Sequence, residues 1–135
     1  MALLVLLAPI LAVVAVVLAC EGGGPVIYRQ VRPGRDGQPF EIRKFRTMRA
    51  DPDLERIGAD ADHMRITRVG RVLRATSIDE LPNLVNVLRG EMSIIGPRPH
   101  LMSYLELYSA RQARRHDVRP GITGLAQVRG RNAID

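Results

Sequence analysis

The sequence predicts an α+β protein in which a small, mostly helical domain follows an apolar N-terminal helix, and three observations support this class. The first twenty residues, MALLVLLAPILAVVAVVLAC, contain no charge. Two runs rich in β-branched and aromatic residues then flank a turn with two glycines, which is typical of a β-hairpin. Beyond the hairpin, apolar residues recur at helical spacing. We therefore expect a membrane-embedded helix over residues 1–21 and a folded domain over residues 22–135.

The apolar N-terminal segment is long enough for a membrane, since twenty helical residues extend about 30 Å, the thickness of the hydrocarbon core. Three interpretations remain open: a spanning helix, a re-entrant helix broken at Pro9, and a signal peptide whose lipoprotein-like cleavage site ends at Cys20. Proline removes a backbone hydrogen bond, which favours a break at Pro9. The lack of basic residues ahead of the apolar run argues against a signal peptide. Every basic residue follows the segment, so we expect the domain on the cytoplasmic side.

The first β-structure is predicted to be a basic hairpin close to the membrane. EGGGP, residues 21–25, ends the N-terminal helix. VIYRQVR and FEIRKFRTM favour extended backbone, and PGRDGQP forms the turn between them. Lys44 and Arg46 lie at the basic end of the return strand. A hairpin of this charge can also simply touch anionic lipid, with each arginine near the surface contributing about 1 kcal/mol.

Three further segments predict the rest of the domain. RVGRVLRAT, residues 68–76, has apolar residues at helical spacing, and NLVNVLRG, residues 83–90, is a short helix that Gly90 ends. HLMSYLELYSARQARRHDV, residues 100–118, is predicted to be amphipathic. Its apolar stripe consists of Leu101, Tyr104, Leu105 and Tyr108. RPGITGLAQVRGRN, residues 119–132, is predicted to be a glycine-rich loop without the spacing of a P-loop.

The composition excludes several functional classes. The net charge is +6, and Lys44 is the only lysine among 20 Lys and Arg residues. Arginine makes forked contacts with phosphate, so this surplus indicates phosphate-bearing ligands unless it only reflects base composition. A single cysteine excludes an intrachain disulfide, and the scattered His63, His100 and His116 lack the spacing of a zinc site. With no Trp, three Tyr and two Phe, a stacking groove for nucleic acid is not expected.

The stretch SIDELPN, residues 77–83, places two adjacent carboxylates, Asp79 and Glu80, at the start of a predicted helix. One interpretation is structural, because Ser77 and Glu80 match a capping box. The other is catalytic, because a helix N-terminus favours both ionised carboxylates and bound phosphate. Adjacent helical residues point about 100° apart, so the two acids do not face each other as in glycosidases. A division of labour fits better, in which one carboxylate attacks phosphorus and the other binds a metal or handles a proton.

An attack on phosphorus needs cations around the phosphoryl oxygens, and a divalent ion together with arginines supplies them. Arg74, five residues before Asp79, and Arg98 are the candidates. Pro97 and Pro99 restrict the backbone of Arg98 on both sides, which lowers the entropy lost in positioning it.

Three blocks of the sequence occur in an order that a known family shares. They are GGPVIYRQVRPGRDGQPFEIRKFRTM, ITRVGRVLRATSIDELPNLVNVLRGEMSIIGPRP and RPGITGLAQVRGRN, which cover most of residues 22–132. The chain thereby resembles the bacterial sugar transferase family, the monotopic phosphoglycosyl transferases. The resemblance implies transfer of a sugar 1-phosphate from a UDP-sugar to a polyprenol phosphate such as undecaprenyl phosphate, which initiates synthesis of a surface glycan. It further implies a covalent phosphosugar on an aspartate, a need for Mg²⁺ (or Mn²⁺), and a place at the cytoplasmic face of the bacterial inner membrane.

The resemblance also implies roles for individual residues. Asp79 matches the nucleophile and Glu80 its partner, and both are expected to bind the metal. The residues expected to bind the substrate are Lys44, Arg46, Arg74, Arg98 and Arg131, the last in a loop thought to help hold the nucleotide sugar. The residues expected to be structural are Pro9, Pro97 and Pro99, with Pro9 breaking a re-entrant helix whose two ends are both cytoplasmic. Residues 22–135 would then form a cytoplasmic catalytic domain.

The chain departs from the family pattern at three points. Members usually carry a polar, basic stretch before the apolar run and continue into further helices, whereas this chain starts at MALLV and stops at Asp135. Leu125 stands where Trp is common. We therefore expect a truncated chain, a partial gene or a minimal member. Two other functions stay open: a non-catalytic membrane-anchored module that binds anionic lipid or pathway enzymes, and a lipoprotein acylated at Cys20.

Overall fold

The computed structural model describes residues 2–51 and 62–129. The chain forms two compact units, the first from residues 1–28 and 44–82 and the second from residues 29–43 and 83–135. The described residues contain helices and two small two-stranded sheets, which confirms the predicted α+β class.

The first unit begins with helix α1, Ala2–Glu21. One face of α1 packs into the core of this unit through residues at the three- and four-residue spacing of a helix stripe. These residues are Leu11, Val14, Ala15 and Leu18. Leu18 is fully buried and packs in one cluster with Phe45 and Leu73. The second half of α1 is therefore part of the folded core of the first unit.

Helix α1 runs through Pro9 without interruption, so the predicted break at that residue is not seen. A proline removes one hydrogen bond of the helix ladder, and the adjacent turns can absorb that loss as a local bend without ending the helix. Among the described residues, no helix combines the length and the hydropathy needed to cross a membrane.

The predicted hairpin is confirmed. Strands β1, Ile27–Pro33, and β2, Pro39–Phe45, pair in a two-stranded sheet. The turn closes through a 2.7 Å hydrogen bond from the Gly34 amide to the Gln38 carbonyl. The base of the hairpin belongs to the first unit and its tip to the second.

Helix α2, Asp62–Arg65, leads into helix α3, Arg68–Thr76, which confirms the helix predicted over residues 68–76. Thr67 caps α3, because its hydroxyl accepts a 2.8 Å hydrogen bond from the Gly70 amide. A Cβ atom at Gly70 would lie 2.1 Å from the Thr47 carbonyl oxygen, so only glycine allows this approach of helix and backbone.

The helices predicted for the second unit had different outcomes. Helix α4, Leu84–Leu88, stops before Gly90, whose φ of 76° confirms its predicted role as a stop signal. Residues 100–118 do not form one amphipathic helix. They form a 3₁₀ helix at Met102–Leu107, helix α5 at Ala110–Ala113 and a 3₁₀ helix at Arg114–Asp117. A capping box between Ser109 and Gln112 starts α5 as a separate helix.

Two buried asparagines join α4 to the hairpin within the second unit. The Asn83 side chain accepts a 3.0 Å hydrogen bond from the Arg43 amide. The Asn86 side chain donates to the Glu41 carbonyl at 2.7 Å. Because both asparagines are buried, each of these bonds satisfies a polar group that water cannot reach.

A second sheet was not predicted. Strands β3, Ser93–Ile95, and β4, Gly121–Thr123, pair in parallel, with Ser93 opposite Gly121 and Ile95 opposite Thr123. The prediction of a glycine-rich loop is therefore wrong for residues 121–123, and helix α6, Leu125–Arg129, follows them. A Cβ atom at Gly121 would lie 2.1 Å from the Gly96 amide nitrogen, so this glycine is needed for close packing rather than for a flexible loop.

Candidate active site

Asp79 and Glu80 lie in the first turn of a 3₁₀ helix, Ile78–Asn83, which confirms their predicted position at a helix N-terminus. Ser77 adopts left-handed backbone with φ of 60°, and its amide donates to the Arg74 carbonyl at the end of α3. Ser77 therefore ends α3, and its carbonyl accepts a 3.1 Å hydrogen bond from the Glu80 amide. The capping box between Ser77 and Glu80 stays a prediction. Successive side chains of a 3₁₀ helix are about 120° apart, so the two carboxylates point in different directions, as expected.

Asp79 is a buried acid, with 8% of the residue exposed. Burial raises the pKa of its carboxyl above the ordinary value, and the charge of Glu80 raises it further. The charges of Lys44 and Arg74 and a bond from the Asp79 amide lower this pKa without cancelling the rise. When ionised, Asp79 is thus a poorly solvated anion close to two cations.

Glu80 is held by an ion pair with Lys44, whose Nζ lies 2.8 Å from Glu80 Oε1. The two side chains are only 16% and 19% exposed, respectively, so water screens the pair weakly. Lys44 belongs to β2, so the pair joins the base of the hairpin to the helix that carries the acids. The first unit thus brings together four of the predicted site residues, namely Lys44, Arg74, Asp79 and Glu80.

Arg46 has different surroundings, although it lies two residues from Lys44. Its buried guanidinium donates to the Leu18 carbonyl at 2.8 Å and to the Gly24 carbonyl, and it lies 3.8 Å from the Glu21 carboxylate. Leu18 is in the last turn of α1, where the helix dipole favours a cation. These contacts indicate that Arg46 holds the end of α1 in place. The substrate-binding role implied for Arg46 stays a prediction.

Arg98 lies in the second unit, in the segment that follows β3. The carbonyl of Pro97 accepts a 3.0 Å hydrogen bond from the Gly121 amide, and the carbonyl of Arg98 accepts a 2.7 Å bond from Arg115 Nη2. The backbone around Arg98 is therefore fixed by hydrogen bonds as well as by the flanking prolines. Arg131 lies outside the described residues.

The model of the bacterial sugar transferase family matches residues 1–135. The chain belongs to this family. The uncharacterized sugar transferase EpsL of Bacillus subtilis (strain 168) is 56% identical over 83% of this chain and 55% of its own length. The UDP-glucose:undecaprenyl-phosphate glucose-1-phosphate transferase of Caulobacter vibrioides (strain ATCC 19089 / CIP 103742 / CB 15) is 53% identical over 93% of this chain and 48% of its own length. The protein of the same name from Klebsiella pneumoniae is 48% identical over 95% of this chain and 28% of its own length. The chain thus spans about half the length of these relatives or less.

The resemblance to sugar transferases implies a divalent cation, and the donors present fit one. Within residues 2–51 and 62–129, no three His, Cys, Asp or Glu side chains are grouped to hold a metal ion. Mg²⁺, however, commonly takes only one or two carboxylates from a protein and completes its shell with substrate phosphates and water. Asp79 and Glu80 supply such carboxylates, and the repulsion that raises the pKa of Asp79 is one that a cation relieves.

Sequence reasoning did not single out Arg115, which contacts the predicted site residue Arg98. Arg115 binds the carbonyl of Arg98, but it stands among other arginines in the stretch ARQARRHD, and nothing in its spacing singles it out. The signal lies in the folded structure, because residues 98 and 115 are distant in sequence and meet only after the second unit has formed.

Proposed function

We propose that this chain is a membrane phosphoglycosyl transferase that moves a sugar 1-phosphate from a UDP-sugar to undecaprenyl phosphate. The names of several relatives describe this reaction with glucose as the sugar. The observation that carries the proposal is the buried Asp79 beside an ion pair between Lys44 and Glu80. Titratable groups in such an environment are typical of catalytic sites.

In the first step, a carboxylate oxygen of Asp79 attacks the phosphorus that carries the sugar. A bond forms between Asp79 and phosphorus, the bond from that phosphorus to the bridging oxygen breaks, and UMP leaves with the bonding electrons. The product is a phosphosugar held on Asp79 as an acyl phosphate. The burial of Asp79 supports this role, because a poorly solvated anion loses little hydration when it attacks.

In the second step, a phosphate oxygen of undecaprenyl phosphate attacks the same phosphorus. The bond to Asp79 breaks, the carboxylate is restored, and undecaprenyl-diphosphate sugar is released. Splitting the transfer into two steps lets a single site serve two anionic substrates in turn.

The other residues stabilise negative charge in this scheme. Lys44 fixes the orientation of Glu80, which would hold the metal together with Asp79. A bound Mg²⁺ supplies Lewis-acid stabilisation of the phosphoryl oxygens. Arg74 provides positive charge near Asp79, and Arg98 binds a phosphate of the substrate through its planar, forked guanidinium.

We further propose that α1 lies along the cytoplasmic leaflet of the inner membrane, with its exposed face against lipid. The supporting observation is that the face of α1 turned away from the core is apolar and exposed. Its exposed residues include Val5, Leu6, Ile10, Val13, Val16 and Val17. An apolar face of this extent is typical of a contact with lipid.

A substrate panel tests the reaction. The purified chain is incubated with undecaprenyl phosphate, Mg²⁺ and, in turn, UDP-glucose, UDP-galactose and UDP-N-acetylglucosamine, and release of UMP is measured. We expect turnover with at least one sugar, and a loss of roughly 1,000-fold or more after EDTA that excess Mg²⁺ restores. Asp79→Asn is expected to release no UMP, and Asp117→Asn, which changes an exposed acid in the same way, is the matched control. Release of no UMP from any donor, or full turnover in EDTA, would contradict the proposal.

A further inference from the structure

The segment Pro97–Pro99 depends on the rest of the second unit for its backbone hydrogen bonds. Two of its three residues are prolines, which have no amide hydrogen to donate. Two of its carbonyls accept hydrogen bonds from other parts of the second unit. The Gly121 amide donates a 3.0 Å hydrogen bond to the Pro97 carbonyl, and the Arg115 guanidinium donates a 2.7 Å hydrogen bond to the Arg98 carbonyl. Arg115 thus bonds to the one residue of the segment that carries a charged side chain.

Arg115 is itself held by an aromatic residue. Its Nη1 lies 3.3 Å from the Tyr108 hydroxyl, and its guanidinium carbon lies 5.4 Å from the centre of the Tyr108 ring. The first contact is a hydrogen bond and the second a cation–π interaction. Together they restrict a long side chain that would otherwise have many rotamers.

The Tyr108 hydroxyl is fixed in turn by His100, at 2.8 Å from His100 Nδ1. Arginine only donates, so the hydroxyl accepts from Arg115. When His100 is neutral with its hydrogen on Nε2, Nδ1 accepts the hydrogen of the hydroxyl. The pKa of His100 is lowered by burial and then by the charges of Arg115, Arg32, Arg98 and His116, which supports the neutral form. Because His100 follows Pro99 directly, the contacts among Arg115, Tyr108 and His100 hold the segment both at the Arg98 carbonyl and at the residue after Pro99.

We propose that Arg115 is a positioning residue for Arg98, holding its backbone so that the Arg98 guanidinium meets substrate phosphate in a single orientation. This inference rests on the phosphate-binding role given to Arg98 in the proposed function. Arg115 does not itself touch the substrate in this scheme. Its effect passes through the Arg98 carbonyl, and Tyr108 and His100 keep it in place.

Hydrogen exchange tests the physical part of this proposal without any turnover. Amide exchange is measured by mass spectrometry on the full chain, in peptides that contain residues 95–100, where prolines leave Arg98 as one of few exchanging amides. Arg115→Met is expected to speed exchange in this segment about threefold or more, and Arg115→Lys is expected to restore part of the protection. Arg111→Met, an exposed arginine of α5, is the control and should change nothing. Unchanged exchange in Arg115→Met would overturn the proposal.

A double-mutant cycle tests whether Arg115 acts through Arg98. In the parent chain, Arg115→Met is expected to lower kcat/KM about tenfold, because a small displacement of a binding group has effects of this size. In an Arg98→Ala background the same change should have less than about a twofold effect, since its target is gone. Equal losses in both backgrounds would show that Arg115 acts by another route. If Arg98→Ala itself keeps full activity, the phosphate-binding role of Arg98 fails, while the exchange result still decides whether Arg115 holds the segment.

Discussion

Asp79 and Arg98 carry opposite charges, and the chain holds them by different means. Asp79 is buried, and its charge is tuned by burial, by Glu80 and by nearby cations. Arg98 is exposed, and the backbone around it is restrained by two prolines, by a hydrogen bond from Gly121 to the Pro97 carbonyl and by one from Arg115 to the Arg98 carbonyl. The first region adjusts the electrostatics of Asp79, the proposed nucleophile, whereas the second restricts the conformation of Arg98, the proposed phosphate-binding residue.

This difference determines which substitutions are informative in each region. At Asp79, a change that keeps the shape and removes the charge isolates the electrostatic role. At Arg98, a change that keeps the charge and alters the shape isolates the geometric role. If burial did not tune the charge of Asp79, removing that charge would have little effect. If the shape of Arg98 did not matter, a substitution that keeps its charge would have little effect.

The largest of the effects that sharpen this comparison is expected for Arg98→Lys. Lysine keeps the positive charge but cannot make the planar, two-pronged contact of a guanidinium with phosphate. We expect kcat/KM for the UDP-sugar to fall by about 10- to 100-fold, the effect of losing a hydrogen bond to a charged group. Steady-state UMP release measures this, with Arg111→Lys as the exposed control. Kinetics unchanged from the parent would show that Arg98 contributes only charge.

The second effect is smaller and is a gain: Asp79→Asn is expected to make the folded protein more stable. The raised pKa of Asp79 means that folding disfavours its ionised form. The contribution of Asp79 to the free energy of unfolding is therefore complete below the ordinary aspartate pKa, and it is lost as the pH rises through the raised pKa. Asparagine has no charge to bury, so the variant should unfold at a higher temperature than the parent at pH 7 in metal-free buffer. The difference should shrink in acid. Circular dichroism melts measure it, and a less stable variant at pH 7 would contradict the electrostatic account of this region.

The smallest expected effect is the dependence of protein stability on pH through His100, in the second region. Its pKa is lowered by burial and by Arg115, Arg32, Arg98 and His116, so the fold favours neutral imidazole. This contribution to stability is complete above the ordinary histidine pKa and is lost as the pH falls through the interval below it. Urea unfolding between pH 7.5 and 5.5 should therefore weaken more in the parent than in His100→Gln. The exposed His63→Gln should follow the parent, and parallel curves for parent and His100→Gln would contradict this reading.

Local sequence patterns predicted the elements of the fold that depend on neighbours in the chain. The hairpin, α3 and the Gly90 stop follow from residue types within a few positions of each other. The pairing of β3 with β4 did not, because each strand has only three residues and the pairing joins segments more than twenty residues apart. The continuity of α1 through Pro9 was also missed, since a single lost hydrogen bond can be tolerated in a long helix.

In the candidate site, too, local motifs were predictable and contacts between distant residues were not. Asp79, Glu80 and the proline-flanked Arg98 were singled out as candidates because their motifs are contiguous in the sequence. The ion pair between Lys44 and Glu80 joins a strand to a helix 36 positions away, so no spacing rule reveals it. The family resemblance implied the same substrate-binding role for Lys44 and Arg46. The structure shows in addition that Arg46 binds carbonyls at the end of α1.

The covalent role of Asp79 is tested most directly by intact-protein mass spectrometry after mixing the chain with a UDP-sugar and Mg²⁺ but no undecaprenyl phosphate. We expect the mass to rise by one sugar phosphate, UMP to appear in equal amount, and both signals to vanish in Asp79→Asn. Glu80→Gln should form the adduct more slowly, because it retains the nucleophile. An adduct that persists in Asp79→Asn, or UMP release that strictly requires undecaprenyl phosphate, would contradict Asp79 as the nucleophile.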